Sequence, residues 1–258
     1  SINKPSSRLS IVPKVKLTMK KTLLTLALLP ASLTAAASSP LTPAQEARVQ
    51  ELVQETLIGH PEILIAAAEK LDRQNAQAGQ ESLKQVLSQD GEFIFHDPNS
   101  PRIGAQNPKL TLVVFTDHNC PYCKKFDPYL EKIVEKYPDV AVIFKFLPWR
   151  SESSMTAARD ALTLWRTHPE QFVKFNPILM AKKGYHDSAS IEQAKKKAGV
   201  MAAQPDAQSL ETIKRSFAIA EKLGIQGTPA TLIGDEMLSG WIPWEQFDAT
   251  IGDALKKQ

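Results

Sequence analysis

The only two cysteines of this 258-residue chain, Cys120 and Cys123, stand in Cys-x-x-Cys spacing. Before them, an apolar run rich in β-branched residues predicts a strand at 110–116 that is buried on both faces of a sheet. After them, apolar residues three and four positions apart predict an amphipathic helix at 121–136. Pro121 suits the first turn of this helix, because the N–H that proline lacks would have no partner there. The pattern therefore predicts a dithiol between a central strand and a helix.

A cysteine at such a junction is chemically activated. Cys120 would lie at the helix N-terminus, facing unpaired N–H groups and the positive end of the helix dipole. Both features lower the pKa of a thiol and increase its thiolate fraction at neutral pH. We therefore predict that Cys120 and Cys123 form a redox-active dithiol that exchanges with disulfides of other molecules.

Three other uses of the cysteine pair were considered. Structural zinc takes four ligands, and neither a second cysteine pair nor His118 alone supplies them. A structural disulfide would close a very short loop, and short loops gain the least stability from a crosslink. Two thiolates can hold the soft cation Cu(I), so copper(I) binding at Cys120 and Cys123 stays an alternative.

Residues 1–37 have the composition of an export signal. Two lysines follow Met19, and an apolar run leads to an alanine triplet that ends at Ala37. This order is typical of a secretory signal peptide, and the run is too short to span a bilayer as a mature helix. We expect cleavage after Ala37, with residues 1–18 as an N-terminal extension. Export would place the mature protein in the periplasm, an oxidising compartment in which dithiol–disulfide chemistry operates.

The net charge excludes one class of partner. The whole chain carries 31 basic and 28 acidic residues, but six of the basic ones lie in 1–37. The remaining 25 basic residues do not outnumber the acids, so the basic surface typical of nucleic-acid binding is missing.

Residues 38–71 predict a small helical segment. Thr42 and Pro43 form an N-cap followed by proline at the first helical position, and a break at 59–61 separates this helix from a second one. Two short apolar helices bury little surface alone, which favours an oligomerisation segment over docking on the main domain. The polar stretch 72–90 has no apolar stripe, so we predict a linker there.

The remaining residues, 91–258, predict one α/β domain. A short strand at 93–95 opens it, and a turn-rich passage follows. Strands 110–116 and 140–146 flank a single helix, which makes a βαβ unit with a right-handed crossover. No strand pattern occurs at 153–223, so we predict a helical insertion there.

After the insertion the chain returns to the sheet at a proline. Proline at a strand entry is unusual because it removes a ladder hydrogen bond, although an ordinary loop proline would also fit. Given the dithiol, we predict a cis bond between Thr228 and Pro229 beside Cys120. The backbone of Thr228 would then be free to pair with an extended substrate strand. A short strand at 237–240 and a helix at 244–255 close the domain.

Two motifs resemble the thioredoxin-fold Dsb proteins of the periplasm: Phe115-Thr116-Asp117-x-x-Cys120-x-Tyr122-Cys123 and Gly227-Thr228-Pro229-Ala230. The residues that lead into the dithiol, Phe115-Thr116-Asp117, and the proline loop are closer to the isomerases DsbC and DsbG. The helical insertion instead resembles DsbA. Together with the N-terminal helices, the arrangement is most similar to the suppressor-of-copper-sensitivity proteins, ScsC. The resemblance covers nearly all of residues 41–258.

This resemblance implies an α/β thioredoxin fold with a DsbA-like helical insertion, preceded by an N-terminal helical oligomerisation segment. It also implies roles for the motif residues. Cys120 would be the exposed nucleophile and Cys123 the resolving thiol. Pro121 and Tyr122 would tune the reduction potential, and Thr228 with Pro229 would form a cis-proline substrate loop. One position departs from thioredoxin and DsbA. Their buried acid, six residues before the first cysteine, is Val114 here.

The resemblance also implies a function and partners. We expect a periplasmic disulfide isomerase or reductase linked to copper tolerance, with no cofactor beyond the dithiol. Its partners would be client proteins with disulfides and a membrane-bound thiol reductase, and it would form a homo-oligomer, with a trimer favoured. The alternatives are a DsbA-like oxidase and a copper(I)-sequestering protein that uses the same thiolates.

Overall fold

The computed structural model describes residues 40–200 and 204–258. The chain divides after Ile63 into two compact units, and each is described by itself. The predicted export signal and its extension, residues 1–37, lie outside the described residues. The domain boundaries predicted after residues 71 and 90 stay predictions.

The first unit contains helix α1, Pro43–Gly59. Its start is the predicted one: Thr42 is the N-cap, and its hydroxyl accepts a hydrogen bond from the N–H of Gln45 at 3.3 Å. The Gln45 side chain accepts from the Thr42 N–H at 2.9 Å, which completes a capping box. No residue of α1 is buried. Most of its apolar residues are therefore left exposed within the described part of this unit.

Helix α2, Glu62–His96, is 35 residues long. The polar stretch 72–90 is helical throughout, and the strand predicted at 93–95 is wrong because these residues form the last turns of α2. The buried residues Val86 and Phe93 are seven positions apart, which places them on one helix face two turns apart. A three-residue apolar run does not distinguish a strand from the end of a buried helix.

The second unit is built on a five-stranded sheet in the order β1-β3-β2-β4-β5. The central strand β2 is parallel to β3 and antiparallel to β4. The strands are β1 Arg102–Gly104, β2 Leu110–Thr116, β3 Val140–Phe146, β4 Ala230–Ile233 and β5 Glu236–Ser239. The parallel β2–β3 pair with its intervening helix confirms the predicted βαβ unit, whereas β1 lies in the passage predicted as turns.

In the described part of this unit, six helices begin after Cys120, and four of them form the predicted insertion. They are α3 Pro121–Lys136, α4 Glu152–Thr167, α5 Pro169–Ala181, α6 Ser188–Ala198, α7 Ala207–Lys222 and α8 Trp244–Lys256. One core, rich in phenylalanine, packs between the sheet and α3, α4, α5 and α8. A smaller core covers the other face of the sheet with the C-terminal part of α2 and with α7. Among the described residues, no helix combines the length and apolarity needed to cross a membrane.

A buried lysine fixes the end of α2 to the sheet. Lys145 lies in β3 opposite Phe115, and its ammonium donates hydrogen bonds to the Phe93 carbonyl at 2.5 Å and to the Ser100 hydroxyl at 2.8 Å. Burial lowers the pKa of Lys145 to about 7. The Lys145 side chain therefore caps a helix C-terminus from inside the core, a role that its position in an apolar strand did not predict.

Candidate active site

The dithiol lies where the central strand meets α3. Cys120 is the N-cap of α3 in an extended conformation, and Pro121 is the first helical residue, as predicted. The Cys120 N–H donates to the Asp117 carbonyl at 3.0 Å, and the Cys120 carbonyl accepts from the Lys124 N–H at 3.0 Å. The backbone of Cys120 is therefore fixed at a regular strand-to-helix connection.

Both cysteines are free thiols, and both are buried, with 0% of Cys120 and 1% of Cys123 exposed. The expectation that Cys120 is exposed is therefore wrong. Its sulfur lies 3.3 Å from the carbonyl oxygen of Thr228, which accepts a hydrogen bond when the thiol is protonated. Tyr122, between the two cysteines, is 58% exposed, so the motif meets solvent through its tyrosine rather than its sulfurs.

The two thiols are electrostatically unequal. The pKa of Cys120 is lowered to about 5, mainly because the Cys123 thiol donates a hydrogen bond to its sulfur, against the opposing effect of burial. Hydrogen bonds from Thr228 and from the Cys123 backbone, and the charge of Arg150, lower it further. Burial and donation to the charged Cys120 raise the pKa of Cys123. At neutral pH the site therefore holds a thiolate at Cys120 and a protonated thiol at Cys123.

The proline loop lies against the dithiol. The Thr228–Pro229 bond is cis, which confirms the prediction. Antiparallel pairing of β4 with β2 sets Ala230 opposite Phe115 and so brings Thr228 beside Cys120. The Pro229 carbonyl accepts the Gly240 N–H at 2.8 Å, which fixes the other side of the loop.

Two buried polar residues before the dithiol hold the surrounding loops, and sequence reasoning missed them. The Asp117 carboxylate accepts from the Asn119 N–H at 2.8 Å, the Ser154 hydroxyl at 2.7 Å and the Arg150 N–H at 3.1 Å. The Asn119 amide donates to the Ser154 hydroxyl and accepts from the His186 N–H, at 2.8 and 2.7 Å. Apart from the Asn119 N–H, which is two positions from Asp117, their partners are 33 to 67 positions away, so the sequence carried no signal for these bonds beyond the Asp-x-x-Cys spacing.

A second buried network lies behind the dithiol. His118 stacks on Phe146, with ring centroids 4.6 Å apart, and its Nε2 lies 2.9 Å from Oδ1 of Asn176. The Asn176 amide donates weakly to Asp127 at 3.5 Å. Burial lowers the pKa of His118 to about 4 and raises that of Asp127 to about 7. The histidine is therefore neutral at physiological pH, and the aspartate sits on the buried side of α3 one turn after Cys123.

Asp127→Asn is expected to stabilise the protein at alkaline pH. A free aspartate carboxyl titrates near pH 4, whereas Asp127 in the folded protein titrates at about 7. The contribution of Asp127 to stability is therefore greatest below pH 4 and falls as the pH rises through about 7. The uncharged amide removes this dependence. In denaturant unfolding we expect a gain of about 2 to 4 kcal/mol at pH 8 and little change at pH 4.

The control for this prediction is Asp139→Asn, which removes an exposed carboxylate paired with Lys109. Its effect is expected to stay within about 0.5 kcal/mol at both pH values. An Asp127→Asn variant that is no more stable than the wild type at pH 8 would show that the Asp127 carboxylate is not penalised by burial.

A cis-proline loop against a Cys-Pro-Tyr-Cys dithiol at the N-terminus of a helix, on this sheet, defines a thioredoxin-fold thiol–disulfide oxidoreductase. Comparison with known proteins agrees. The sequence profile described as "Thioredoxin" matches residues 96–253, and the one described as "Copper resistance protein ScsC N-terminal domain" matches residues 45–78.

Solved structures extend the similarity. A periplasmic thioredoxin-like protein from Salmonella enterica serovar Typhimurium is 55% identical with a TM-score of 0.63, and the match covers 64% of this chain and 95% of that one. Proteus mirabilis ScsC in a transitional conformation is 44% identical with a TM-score of 0.66, over 84% of this chain and 100% of that one. A sequence relative, Disulfide bond formation protein D of Bacillus subtilis (strain 168), is 23% identical over a match that covers 60% of this chain and 77% of that protein. The chain therefore belongs to the thioredoxin family and is an ScsC-like member of it.

Proposed function

We propose that this chain is a periplasmic disulfide isomerase and reductase that acts through Cys120 and Cys123. The observation that carries the proposal is the unequal dithiol: an activated Cys120 against the Thr228–Pro229 loop, and a protonated Cys123 behind it. This arrangement suits a nucleophile that first forms a mixed disulfide and a second thiol that resolves it. Pro121 and Tyr122 are proposed to tune the reduction potential.

The proposed reaction begins with attack of the Cys120 thiolate on a client disulfide. One client sulfur bonds to Cys120 and the other leaves as a thiolate. In isomerisation the freed client thiolates rearrange and expel Cys120, so no net electrons are transferred. In reduction Cys123 loses its proton and attacks Cys120, which releases the client dithiol and leaves a Cys120–Cys123 disulfide. Two electrons have then passed to the client, and a membrane-bound thiol reductase is the proposed source of their replacement.

The client is proposed to bind as an extended segment along the proline loop. The Thr228 carbonyl faces Cys120, so a backbone placed here would bring its disulfide sulfur to the nucleophile. This main-chain pairing would accept clients of different sequence, as an isomerase requires.

Helix α1 supports an oligomeric enzyme. Val49, Leu52 and Val53 are 46%, 45% and 53% exposed and lie at spacings of three and four along one face. They line an open apolar groove of about 330 Å³ within the first unit. An exposed apolar helix face of this kind suits association with copies of itself, and the resemblance favours a trimer. Several dithiols around one client would favour reshuffling of its disulfides.

The link to copper tolerance is proposed from the resemblance to ScsC. No cofactor is proposed, because the dithiol itself carries the electrons. Copper(I) sequestration by Cys120 and Cys123 is the second candidate, since two neighbouring thiolates are soft ligands. Both uses need the thiols reduced, which makes the proposed reductase partner common to them.

The test of the proposed function is refolding of a scrambled multi-disulfide protein by reduced residues 38–258. Recovery of native disulfides supports an isomerase. If scrambled protein is not recovered, but the oxidised chain introduces disulfides rapidly into a reduced substrate, the chain is a DsbA-like oxidase instead. Tight copper(I) binding without any disulfide exchange would identify a sequestering protein.

A further inference from the structure

The side chain directly before the nucleophile is buried and is bonded at both ends of its amide. Asn119 is 1% exposed, and its amide oxygen accepts a hydrogen bond from the His186 N–H at 2.7 Å. A backbone N–H only donates, so the NH2 group of the amide must point the other way. Three serine hydroxyls lie there, each 2.8 Å from the amide nitrogen: Ser151, Ser153 and Ser154. The Asn119 side chain therefore connects a donor on one segment to acceptors on another.

These partners lie at the starts of two helices of the insertion. The three serines are the N-cap and part of the first turn of α4. His186 directly precedes Asp187, the N-cap of α6. The His186 ring is itself bonded to the Leu179 carbonyl and the Ser190 hydroxyl, at 2.7 and 2.9 Å, which fixes the residue that donates to Asn119. Asn119 therefore joins the starts of α4 and α6 to the segment that follows the central strand.

Asn119 also belongs to the turn of residues 117–120, the dithiol turn, which presents the nucleophile. The Cys120 N–H donates to the Asp117 carbonyl at 3.0 Å, and the Asn119 N–H donates to the Asp117 carboxylate at 2.8 Å. The turn ends in Cys120, which is the N-cap of α3. Neighbouring Cα atoms are about 3.8 Å apart across a trans peptide bond, so a shift of Asn119 passes directly to Cys120.

The chemistry of the Cys120 sulfur depends on its position. The sulfur lies 3.3 Å from the Thr228 carbonyl oxygen, at the N-terminus of α3, where the N–H groups of a helix have no partner within the helix. A hydrogen bond to a thiolate weakens steeply when the donor leaves its proper distance and direction. The bonds from Cys123 that lower the pKa of Cys120 are therefore available only when the dithiol turn holds the sulfur in place.

We propose that Asn119 is a positioning residue for disulfide exchange: its side chain fixes the dithiol turn to the starts of α4 and α6, and so holds the Cys120 sulfur at the N-terminus of α3. The proposal rests on the dithiol chemistry proposed above and adds a residue to it. Asn119 acts through Cys120 rather than on the client. Its effect applies to attack, where the Cys120 electron pair forms the bond to a client sulfur. It applies also to departure, where that bond breaks and the pair returns to Cys120.

The charges near the sulfur belong to other residues. Asp117 carries the carboxylate of the dithiol turn, and Lys124 and Arg150 carry the positive charges that act on the site. The Asn119 amide is neutral. Its replacement by another neutral side chain changes no charge beside Cys120, so a shifted titration of Cys120 would report a changed position of the sulfur rather than a lost charge.

The experiment compares Asn119→Leu with the wild type in the reduced full chain. Leucine is similar in size but has no hydrogen-bonding group, so it fills the site and joins neither helix. Ultraviolet absorbance of the thiolate, followed against pH, reports the titration of Cys120, and equilibration with glutathione reports the reduction potential. We expect the titration midpoint to rise by about one pH unit, and the reduced form to be about tenfold less favoured, or about 30 mV.

Two further variants separate position from stability. Ser209→Ala removes a buried hydroxyl from the first turn of α7, another helix of the insertion, where it donates to the Asp206 carbonyl at 2.8 Å. It should lower the unfolding temperature, as Asn119→Leu does, but leave the midpoint and the potential unchanged. Asn119→Ser keeps a short polar side chain that can bond to only one of the two helix starts. Its midpoint should rise less, and it supplies the measurement if Asn119→Leu does not fold.

An Asn119→Leu midpoint equal to that of the wild type would overturn the proposal, and an unchanged Asn119→Ser midpoint would do so if the leucine variant does not fold. An equal rise in Ser209→Ala would also overturn it, because the shift would then follow from lost stability alone. These readouts do not depend on isomerase activity. If the wild type fails to unscramble a client while Asn119→Leu still shifts the titration, the proposed function fails and the role of Asn119 stands.

Discussion

Cys120→Ser is expected to reduce disulfide reduction and isomerisation to the background rate, a loss of at least about 10³-fold. Serine keeps the N-cap position of α3 but its hydroxyl is not ionised at neutral pH, so no nucleophile faces the client. The measurement is turbidity from insulin reduction by dithiothreitol-supplied protein, with recovery of scrambled substrate in parallel.

The matched control for this loss is Ser154→Ala. Ser154 is buried in the same polar network and donates to Asp117 at 2.7 Å, but the proposed reaction does not pass through it. We expect a loss of stability of about 1 to 3 kcal/mol and only a small change in rate. Activity retained by Cys120→Ser would show that Cys123 or another group starts the reaction.

Cys123→Ser is expected to accumulate mixed disulfides with clients. Cys120 can still attack, because a serine hydroxyl can replace the hydrogen bond that Cys123 donates to the Cys120 sulfur. Resolution by reduction is lost, since no second thiol lies behind the first. Non-reducing electrophoresis should therefore show adducts that disappear on adding dithiothreitol, and reduction turnover should fall by at least about 100-fold.

Cys123→Ala separates the two roles of this residue. It also blocks resolution, but it removes the hydrogen bond that is the largest cause of the lowered Cys120 pKa. Its Cys120 should therefore titrate at higher pH than that of Cys123→Ser and form adducts more slowly. The Cys120→Ser/Cys123→Ser double variant should form none. Adducts absent from Cys123→Ser as well would argue against exchange and for the copper(I) alternative.

Local features of the fold were predictable because each has a short-range physical cause. The apolar run 110–116 and the periodicity after Pro121 predicted β2 and α3 with their observed bounds. The cap at Thr42 was predictable for the same reason: its hydrogen bonds link residues three positions apart. The cis bond at Pro229 followed from a motif together with the dithiol rather than from proline alone.

Features set by distant contacts were not predictable. Residues 93–95 favour a strand by composition, yet they continue a helix because Phe93 and Ile94 pack under the sheet. Cys120 is buried because the loop at Thr228, far along the chain, covers it. The His186 N–H donates to the Asn119 side chain, 67 positions away, so this link to the residue before Cys120 arises only when the two loops meet.

The central claim, an oligomeric isomerase, is tested most directly by unscrambling with the full chain 38–258 and its Leu52→Glu/Val53→Glu variant. Two carboxylates on the apolar face of α1 should prevent association without touching the dithiol. The charge-matched control is Ala47→Glu/Gln54→Glu, which alters the same helix away from that face. Sedimentation gives the oligomeric state of each protein.

We expect the wild type and the Ala47→Glu/Gln54→Glu control to be oligomers that unscramble the substrate. The Leu52→Glu/Val53→Glu variant should be a monomer with unchanged insulin reduction and at least about tenfold slower unscrambling, because only reshuffling needs several dithiols around one client. A wild-type monomer, or a monomeric variant that unscrambles as fast as the wild type, would contradict the account.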